Sequence, residues 1–337
     1  MPQKILLFTK NYPPQIGGIE KYSFDLYRSL LKDGKSVKII KIYSRNTYLF
    51  NKSWFSFFWK QLYIISEFIR LSIFLFKSFT LGLYFGTQSD LIWGLDASLS
   101  WLIFVISRIV WVKTRITLHG TDVVWRNRLY QFFMPYFWWK IDSFVSVSYL
   151  IRNEAVNRGI LAKKIIIQEH SLETLTFVNT INFDKTAFLA LNKIPSNKIL
   201  LFSLGRFVEI KGFHWFISKV LPFLDQRFYY ILWGFWPLLT EYCNIIDREK
   251  LHNISIIGPL DEQHKAKWFC ATDYFVMPNI MSGGVEGFWI VLLEAHYYKK
   301  KSIISDAHGI NTRAEREDII LPTGNPEEWI KTINRIQ

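Results

Sequence analysis

The chain has 337 residues, of which 50% are hydrophobic and 18% aromatic, and its formal net charge is +13. This length exceeds one ordinary hydrophobic core and favours two domains. The only cysteines, Cys243 and Cys270, lie far apart, which excludes a disulfide scaffold and a cysteine-based zinc or iron–sulfur site. Residues 1–15 lack the apolar segment of a secretory signal, so we expect a cytoplasmic protein.

The positive charge is confined to the first half of the chain. Residues 1–170 hold 23 Lys and Arg against 10 Asp and Glu, whereas residues 171–337 hold 18 of each. Such an asymmetry predicts a basic face that meets nucleic acid, anionic lipid or a phosphorylated substrate. A basic surface that only aids solubility is the alternative.

The first half reads as alternating strands and helices, beginning with a strand at 4–9, a helix that stops at Gly34 and a strand at 36–43. A strand–helix–strand unit of this kind predicts a parallel sheet. Residues 48–86 are rich in aromatics interrupted by charges, which predicts amphipathic helices lying on the domain or on a membrane surface. Further predicted elements are strands at 90–94, 114–120, 143–148 and 163–170, with a crossover helix within 99–112.

The second half repeats the same alternation after a polar stretch. We predict an N-terminal Rossmann-like domain over 1–172, a linker over 173–197 and a C-terminal Rossmann-like domain over 198–337. In the terminal helix, Asn325 is the expected N-cap and Pro326 the first helical residue. Strands are predicted at 199–206, 229–234, 254–258, 274–278 and 301–306.

The stretch SGGVEGFWIVLLEA, residues 282–295, places two glutamates around a predicted helix start. If the helix begins near Gly287, the free amides of Gly287, Phe288 and Trp289 form an anion seat. Glu294, about two turns in, could bind a ribose diol, and Glu286 would face what lies beyond the phosphates. A capped surface helix is the alternative.

Three other motifs follow predicted strands. Arg206 and Lys211, in SLGRFVEIKGF, could neutralise a diphosphate. Gly17 and Gly18 follow the first strand, where phosphate or sugar commonly sits, although this is not a dinucleotide fingerprint. His119, in TLHGTD, follows a middle strand. Ordinary surface cations, a tight turn and a structural histidine are the respective alternatives.

Taken together, these motifs resemble the retaining glycosyltransferases of the family 4 group, whose α/β fold is GT-B, two Rossmann-like domains with parallel sheets facing across a cleft. The resemblance is strongest over 199–306. It rests on the two glutamates of EGFWIVLLEA, the Gly-Arg and Lys-Gly pairs of residues 205–212, the Gly-Gly pair at 17–18, and His119.

The resemblance implies a role for each residue. Arg206 and Lys211 would hold the donor diphosphate, assisted by the amides of residues 287–289. Glu294 would hold the ribose and Glu286 would contact the transferred sugar. His119 would lie near that sugar or the acceptor, and Gly18, beside Gly17, would approach the phosphate or the acceptor.

The resemblance also implies a hexose-type donor linked to UDP or GDP and retention of configuration. Because no Asp-x-Asp motif is evident, we expect no metal cofactor. Trp289 stands where such enzymes commonly have Gly, which leaves the donor sugar open.

The acceptor side is expected in the basic first domain. The predicted partners are a lipid-linked saccharide acceptor, as in bacterial surface polysaccharide or lipopolysaccharide assembly, and the anionic inner face of the plasma membrane. The alternatives are a catalytically inactive scaffold of the same fold and a basic nucleic-acid-binding protein, for which no motif is present.

Overall fold

The structure is a computed structural model of the whole chain. It describes residues 2–15, 17–41, 72–73, 75–125, 127–169, 177–178, 180, 183–258, 261–281, 290–307 and 314–336. The chain divides into two compact units, Met1–His170 and Ser171–Gln337.

The first unit is a parallel sheet of six strands with helices in the connections. Its strand order is β2-β1-β3-β4-β5-β6. The strands are β1 (Lys4–Thr9), β2 (Ser36–Lys41), β3 (Leu91–Gly94), β4 (Lys113–Leu118), β5 (Ser143–Ser146) and β6 (Ile165–Ile167). The labelled helices are α1 (Gly18–Lys32), α2 (Ser100–Val110), α3 (Thr121–Val124), α4 (Arg128–Lys140) and α5 (Tyr149–Asn157), and residues 75–86 are also helical.

The burial of the strands and their order in the sheet together locate an edge where ligands can bind. Five of the six residues of β1 and all four of β3 are buried, as expected of parallel strands covered on both faces. The chain leaves β1 for β2 on one side and returns to β3 on the other. Loops that leave the carboxyl ends of β1 and β3 therefore border a topological switch point, where open α/β sheets bind ligands.

The second unit is a second parallel six-stranded sheet, of order β12-β11-β10-β7-β8-β9. The strands are β7 (Ile199–Phe207), β8 (Phe228–Pro237), β9 (Ile254–Ile257), β10 (Tyr274–Met277), β11 (Lys301–Ser305) and β12 (Ile319–Leu321). The helices are α6 (Lys185–Leu191), α7 (Phe213–Lys219), α8 (Leu239–Arg248), α9 (Glu262–Ala271), α10 (Ile290–Tyr297) and α11 (Pro326–Asn334).

Read from β9 to β12, this order is the Rossmann pattern 3-2-1-4-5-6, and the switch point lies between β7 and β10. Aromatic side chains fill one side of the sheet. Phe216 lies 4.9 Å from Tyr230 and 6.0 Å from Trp329, measured between ring centroids. Trp329 is brought there by α11, whose N-cap is Asn325, with the Asn325 side chain accepting a hydrogen bond from the Glu328 amide, as predicted.

Most predicted elements are confirmed, and two features differ. The stretch predicted as a linker contains α6, because Asp184 caps it by accepting a hydrogen bond from the Ala187 amide. Strand β12 was not predicted, since three residues give no visible alternation. Of the aromatic stretch 48–86, residues 48–71 and 74 lie outside the described residues. Across the described ranges, no helix combines the length and apolarity that crossing a bilayer requires.

Candidate functional site

In the second unit, the loops after β7 and β10 meet at the switch point. The Ile280 amide donates to the Ile210 carbonyl at 3.1 Å. Gly212 adopts φ 67°, and a Cβ there would lie 1.8 Å from the Pro278 carbonyl oxygen. Only glycine combines this left-handed backbone with so close an approach. The turn that carries Lys211 is therefore fixed against the carboxyl end of β10.

Arg206 and Lys211 are both part of this edge. Arg206 is exposed near the end of β7, and Lys211 is half-buried at the end of the 3₁₀ turn Glu209–Lys211. The Lys211 chain folds back over the strand, since a Cβ on Gly205 would lie 3.4 Å from Lys211 Cε. The structure thus brings the two predicted cations to one strand end, as a diphosphate site requires.

Asn279 is a candidate that the sequence reasoning missed. It follows β10 by two residues and is 1% exposed. Within the described part of the chain, neither atom of its amide has a hydrogen-bond partner. A buried amide without partners is costly and commonly marks a position where a ligand supplies them. The sequence signal that could have identified Asn279 is a polar residue two positions after a buried strand at the switch point.

Glu294, the predicted ribose ligand, is buried in α10 and forms an ion pair with α9. The Lys265 ammonium donates to Glu294 Oε1 at 2.7 Å and to Glu262 Oε1 at 2.9 Å. Burial alone would lower the pKa of Lys265, but attraction to Glu294 and then to Glu262 outweighs burial and raises it above its ordinary value. Lys265 is therefore charged at neutral pH and holds the Glu294 carboxylate in one position.

The other predicted donor-side residues lie outside the described residues. They are Glu286, Gly287, Phe288 and Trp289, which immediately precede α10. Their predicted roles stay predictions.

In the first unit, Gly17 and Gly18 are at the N-terminus of α1, as predicted. The side chain of Glu20 folds back over them, because a Cβ on Gly17 would lie 2.2 Å from Glu20 Oε2. Asn11 Nδ2 donates to the same carboxylate at 2.9 Å. A carboxylate at this helix end favours a neutral hydroxyl over a second anion such as phosphate.

His119 lies at the carboxyl end of β4 and is 4% exposed. Its Nε2 is 3.0 Å from the Leu95 carbonyl oxygen, which can only accept, so Nε2 carries the proton. The Tyr22 ring meets the imidazole edge-on at 4.9 Å. Burial raises the pKa of Tyr22 to about 12, so its hydroxyl stays protonated at neutral pH. The histidine therefore has a fixed orientation at the sheet edge.

Asp122 holds the backbone around His119, a role that the sequence reasoning missed although the motif contains it. Asp122 Oδ1 accepts from the amides of His119 and Gly120 at 2.9 and 2.8 Å, and Oδ2 accepts from the Ala97 amide at 2.9 Å. Burial and then the neighbouring Asp96 raise the pKa of Asp122. This carboxylate joins the loops after β3 and β4.

The described residues offer no cluster of metal ligands. In the part of the chain that the structure describes, His, Cys, Asp and Glu side chains form no group of three or more that could hold a metal ion. The expectation of a metal-independent reaction stays a prediction.

Comparison with known proteins bears first on the second unit. Residues 198–337 match the sequence pattern of the family described as Glycosyl transferases group 1. The match begins just before β7 and includes the end of β7 with Arg206, the turn with Lys211 and helix α10 with Glu294. No curated protein sequence matches the chain significantly.

Solved structures extend the likeness over nearly the whole chain. HepE of Anabaena, solved with UDP and glucose, has a TM-score of 0.71 at 15% identity, over 98% of this chain and 89% of that one. Sucrose-phosphate synthase from Thermosynechococcus elongatus has a TM-score of 0.74 at 16% identity, over 99% and 89%.

A third similar structure is the catalytic domain of starch synthase IV from Arabidopsis thaliana, bound to ADP and acarbose. It has a TM-score of 0.73 at 14% identity, over 99% of this chain and 91% of that one. The chain has the GT-B fold. At such identities the likeness establishes the fold alone, and the activity has to be argued from the residues of the site.

Proposed function

We propose that this chain is a glycosyltransferase that moves a hexose-type sugar from a nucleoside-diphosphate sugar to a lipid-linked saccharide acceptor, with retention of configuration. The observation that carries the proposal is that Arg206, near the end of β7, and Lys211, in the turn packed against the loop after β10, lie within the part of the chain that matches the glycosyl transferase family. Structures of the same fold bound to UDP and glucose, or to ADP, support a nucleotide-linked donor.

In the proposed complex the donor lies along the edge formed by the ends of β7 and β10. Arg206 and Lys211 would meet the diphosphate as two fixed cations. The amides of residues 287–289 would add donors at the start of α10. Glu294, held by Lys265, would accept hydrogen bonds from the ribose hydroxyls. Asn279 would find ligand partners for its buried amide.

The chemistry needs a stabilised leaving group. As the bond between the sugar's anomeric carbon and the phosphate oxygen breaks, negative charge grows on the leaving diphosphate and positive charge grows on the sugar ring. Preorganised cations and helix-end amides stabilise the first charge, and removing one such donor typically costs about 3 kcal/mol of transition-state stabilisation. Glu286, a carboxylate, would face the sugar. In this proposal the reaction uses no metal cofactor.

The acceptor would bind the first unit. Glu20, which lies at Gly17, and the N-terminus of α1 with Gly18 offer a carboxylate and amides to a sugar hydroxyl. His119, anchored through Nε2 to the Leu95 carbonyl, would contact the transferred sugar or the acceptor. We place this protein at the cytoplasmic face of an anionic membrane, in the assembly of a bacterial surface polysaccharide or lipopolysaccharide, because the whole charge excess lies in the first 170 residues.

The experiment is a screen of UDP-, GDP- and ADP-linked hexoses for thermal stabilisation and for release of nucleoside diphosphate, with short oligonucleotides as the comparison. We expect one nucleotide class to stabilise the chain and turn over with a lipid-linked acceptor extract. Stabilisation without turnover would indicate an inactive scaffold. Stabilisation by oligonucleotides alone would reject the proposal in favour of nucleic-acid binding.

A further inference from the structure

Helix α4 presents apolar side chains on two opposite faces. On the inner face Met134 and Trp138 are buried, and Trp138 Nε1 donates to the Ala97 carbonyl at 3.4 Å. The outer face carries large apolar residues at the helical spacing i, i+3, i+4, i+7. They are 69, 76, 55 and 58% exposed in the order Leu129, Phe132, Phe133 and Tyr136. A surface helix normally has polar residues there, so the outer face needs an explanation.

Helix α2 continues the same surface. Phe104 of α2 lies 6.4 Å from the Tyr136 ring of α4, so the two helices pack side by side. At the end of α2, Ile109 is 54% exposed and Trp111 85%. We name as the α2–α4 face the exposed side chains of Ile109, Trp111, Leu129, Phe132, Phe133, Tyr136 and Trp139.

Basic side chains predominate around the α2–α4 face. Residues 97–141 contain a single carboxylate, Asp122, which is buried, and the exposed Asp142 follows them directly. Lys140 Nζ lies 4.3 Å above the Trp139 ring. Exposed cations surround the aromatic residues, namely Arg108, Lys113, Arg128 and Lys140. A surface rich in aromatic and basic side chains complements the boundary between anionic headgroups and acyl chains.

Helix α4 also connects this face to the loop that follows His119. The Tyr130 hydroxyl donates to the Asp122 carbonyl, and Gln131 Nε2 donates to the Val123 carbonyl at 2.9 Å. Helix α4 thus contacts the segment that follows His119 on one side and exposes aromatic rings on the other.

We propose that the α2–α4 face inserts shallowly into an anionic lipid bilayer. Its residues belong to a different part of the sequence from the stretch 48–86, for which the sequence predicted a membrane surface. The proposal extends the proposed function by naming the surface that meets the membrane. Its test measures binding and not turnover, so the two proposals can fail separately.

The test is flotation of the full chain with phosphatidylcholine vesicles that do or do not contain phosphatidylglycerol. We expect binding to the anionic vesicles only. Replacing Phe132 and Phe133 together by Ser removes two inserting rings and should weaken binding by roughly tenfold for each ring. Lys140→Glu should weaken binding to anionic vesicles by at least about fivefold.

The matched control is Phe223→Ser, which removes a 63% exposed phenylalanine of the second unit and should leave vesicle binding unchanged. Circular dichroism and a melting curve check that each variant folds. Equal binding by the Phe132/Phe133 double variant and the wild type would overturn the proposal. Self-association through these two residues without vesicle binding would also overturn the proposal, because a second copy of the chain would then cover the face.

Discussion

Lys265 and Glu294, on helices α9 and α10, form a buried ion pair with 2.7 Å between Nζ and Oε1. Lys265 is 7% exposed and Glu294 2%. The carboxylate proposed to hold the donor ribose is therefore fixed by a lysine 29 residues earlier in the chain. Because each partner can be substituted alone, the structural role of Lys265 and the proposed ribose-binding role of Glu294 can be tested separately.

Replacing Lys265 by Met should destabilise the second unit. The Glu294 carboxylate would lose its ion pair with Lys265, and removing one partner of a buried pair typically costs about 3–5 kcal/mol. The double variant Lys265→Met with Glu294→Leu removes both charges of this pair and should recover part of that loss. Urea unfolding of the wild type, both single variants and the double variant measures the coupling. Additive effects of the two substitutions would contradict the assigned pairing.

The pH dependence of this pair follows from the raised pKa of Lys265. Because the folded-state pKa lies above the ordinary value of about 10.4, the stabilisation is fully present below that value and is lost as pH rises through the folded-state pKa. The difference in unfolding free energy between wild type and the double variant Lys265→Met with Glu294→Leu should therefore stay constant from about pH 6 to 9 in two-state urea unfolding. A difference that fell within this range would contradict it.

Ligand binding tests the other role of Glu294. A hydrogen bond to a charged group contributes about 1.5–3 kcal/mol, so the wild type should prefer a nucleoside diphosphate over its 2′,3′-dideoxy analogue by about tenfold or more. Glu294→Gln should lose most of this preference in calorimetric titrations. Lys265→Met should lose it as well, although Lys265 need not touch the ligand. Retention of the preference in both variants would remove Glu294 from the ribose site.

Arg206→Ala and Lys211→Ala should each lower the rate of sugar transfer by about a hundredfold, since each removes one fixed cation from the leaving diphosphate. Arg206 is exposed and Lys211 half-buried, so both variants should keep the fold. The matched control is Arg248→Ala, an exposed arginine whose side chain is 68% accessible and which pairs with the neighbouring Glu249. Normal transfer rates in either test variant would refute the diphosphate assignment.

Gly212→Ala should damage the candidate site more than a comparable glycine change elsewhere. Gly212 and Gly324 both adopt left-handed backbones, with φ of 67 and 74°, but a Cβ at Gly324 meets nothing within 4 Å. Gly324→Ala should therefore cost only the backbone strain of about 1–2 kcal/mol. Gly212→Ala adds a collision with the Pro278 carbonyl and should also abolish nucleotide binding. Equal melting temperatures for the two variants would show that this contact is unimportant.

Asp122→Asn should destabilise the first unit by about 1–3 kcal/mol, because the amide cannot accept all three backbone bonds and leaves one buried N–H unpaired. The contacts at risk are those to Ala97, His119 and Gly120. Hydrogen exchange of these three amides measures the effect directly. Unchanged protection would mean that Asp122 does not hold the loop.

The strands were predictable from the sequence because buried parallel strands are short apolar runs, as in β1 and β3. The motif residues after them were predictable for the same reason, since Arg206 and His119 each lie at or directly after such a run. Helix α6 was missed because Asn and Pro around it resemble a linker, while its cap at Asp184 is a single residue.

Tertiary partners were not predictable. Lys265 lies in α9, close to the apolar residues Ala266 and Trp268. In the sequence, these neighbours conceal that the lysine side chain is also buried. Its pairing with Glu294 depends on how two helices pack, which no local pattern encodes. The exposed face of α4 was missed for a related reason. From sequence alone, a helix that is apolar on every side is predicted to be buried, and only the packing reveals which side is covered.

The most direct measurement for the central claim is a crystal structure of the chain with a bound nucleoside diphosphate. We predict the diphosphate within hydrogen-bond distance of Arg206 and Lys211, and the ribose hydroxyls on Glu294, at the carboxyl edge of the second sheet. A nucleotide bound elsewhere, with these three side chains apart from it, would contradict this assignment.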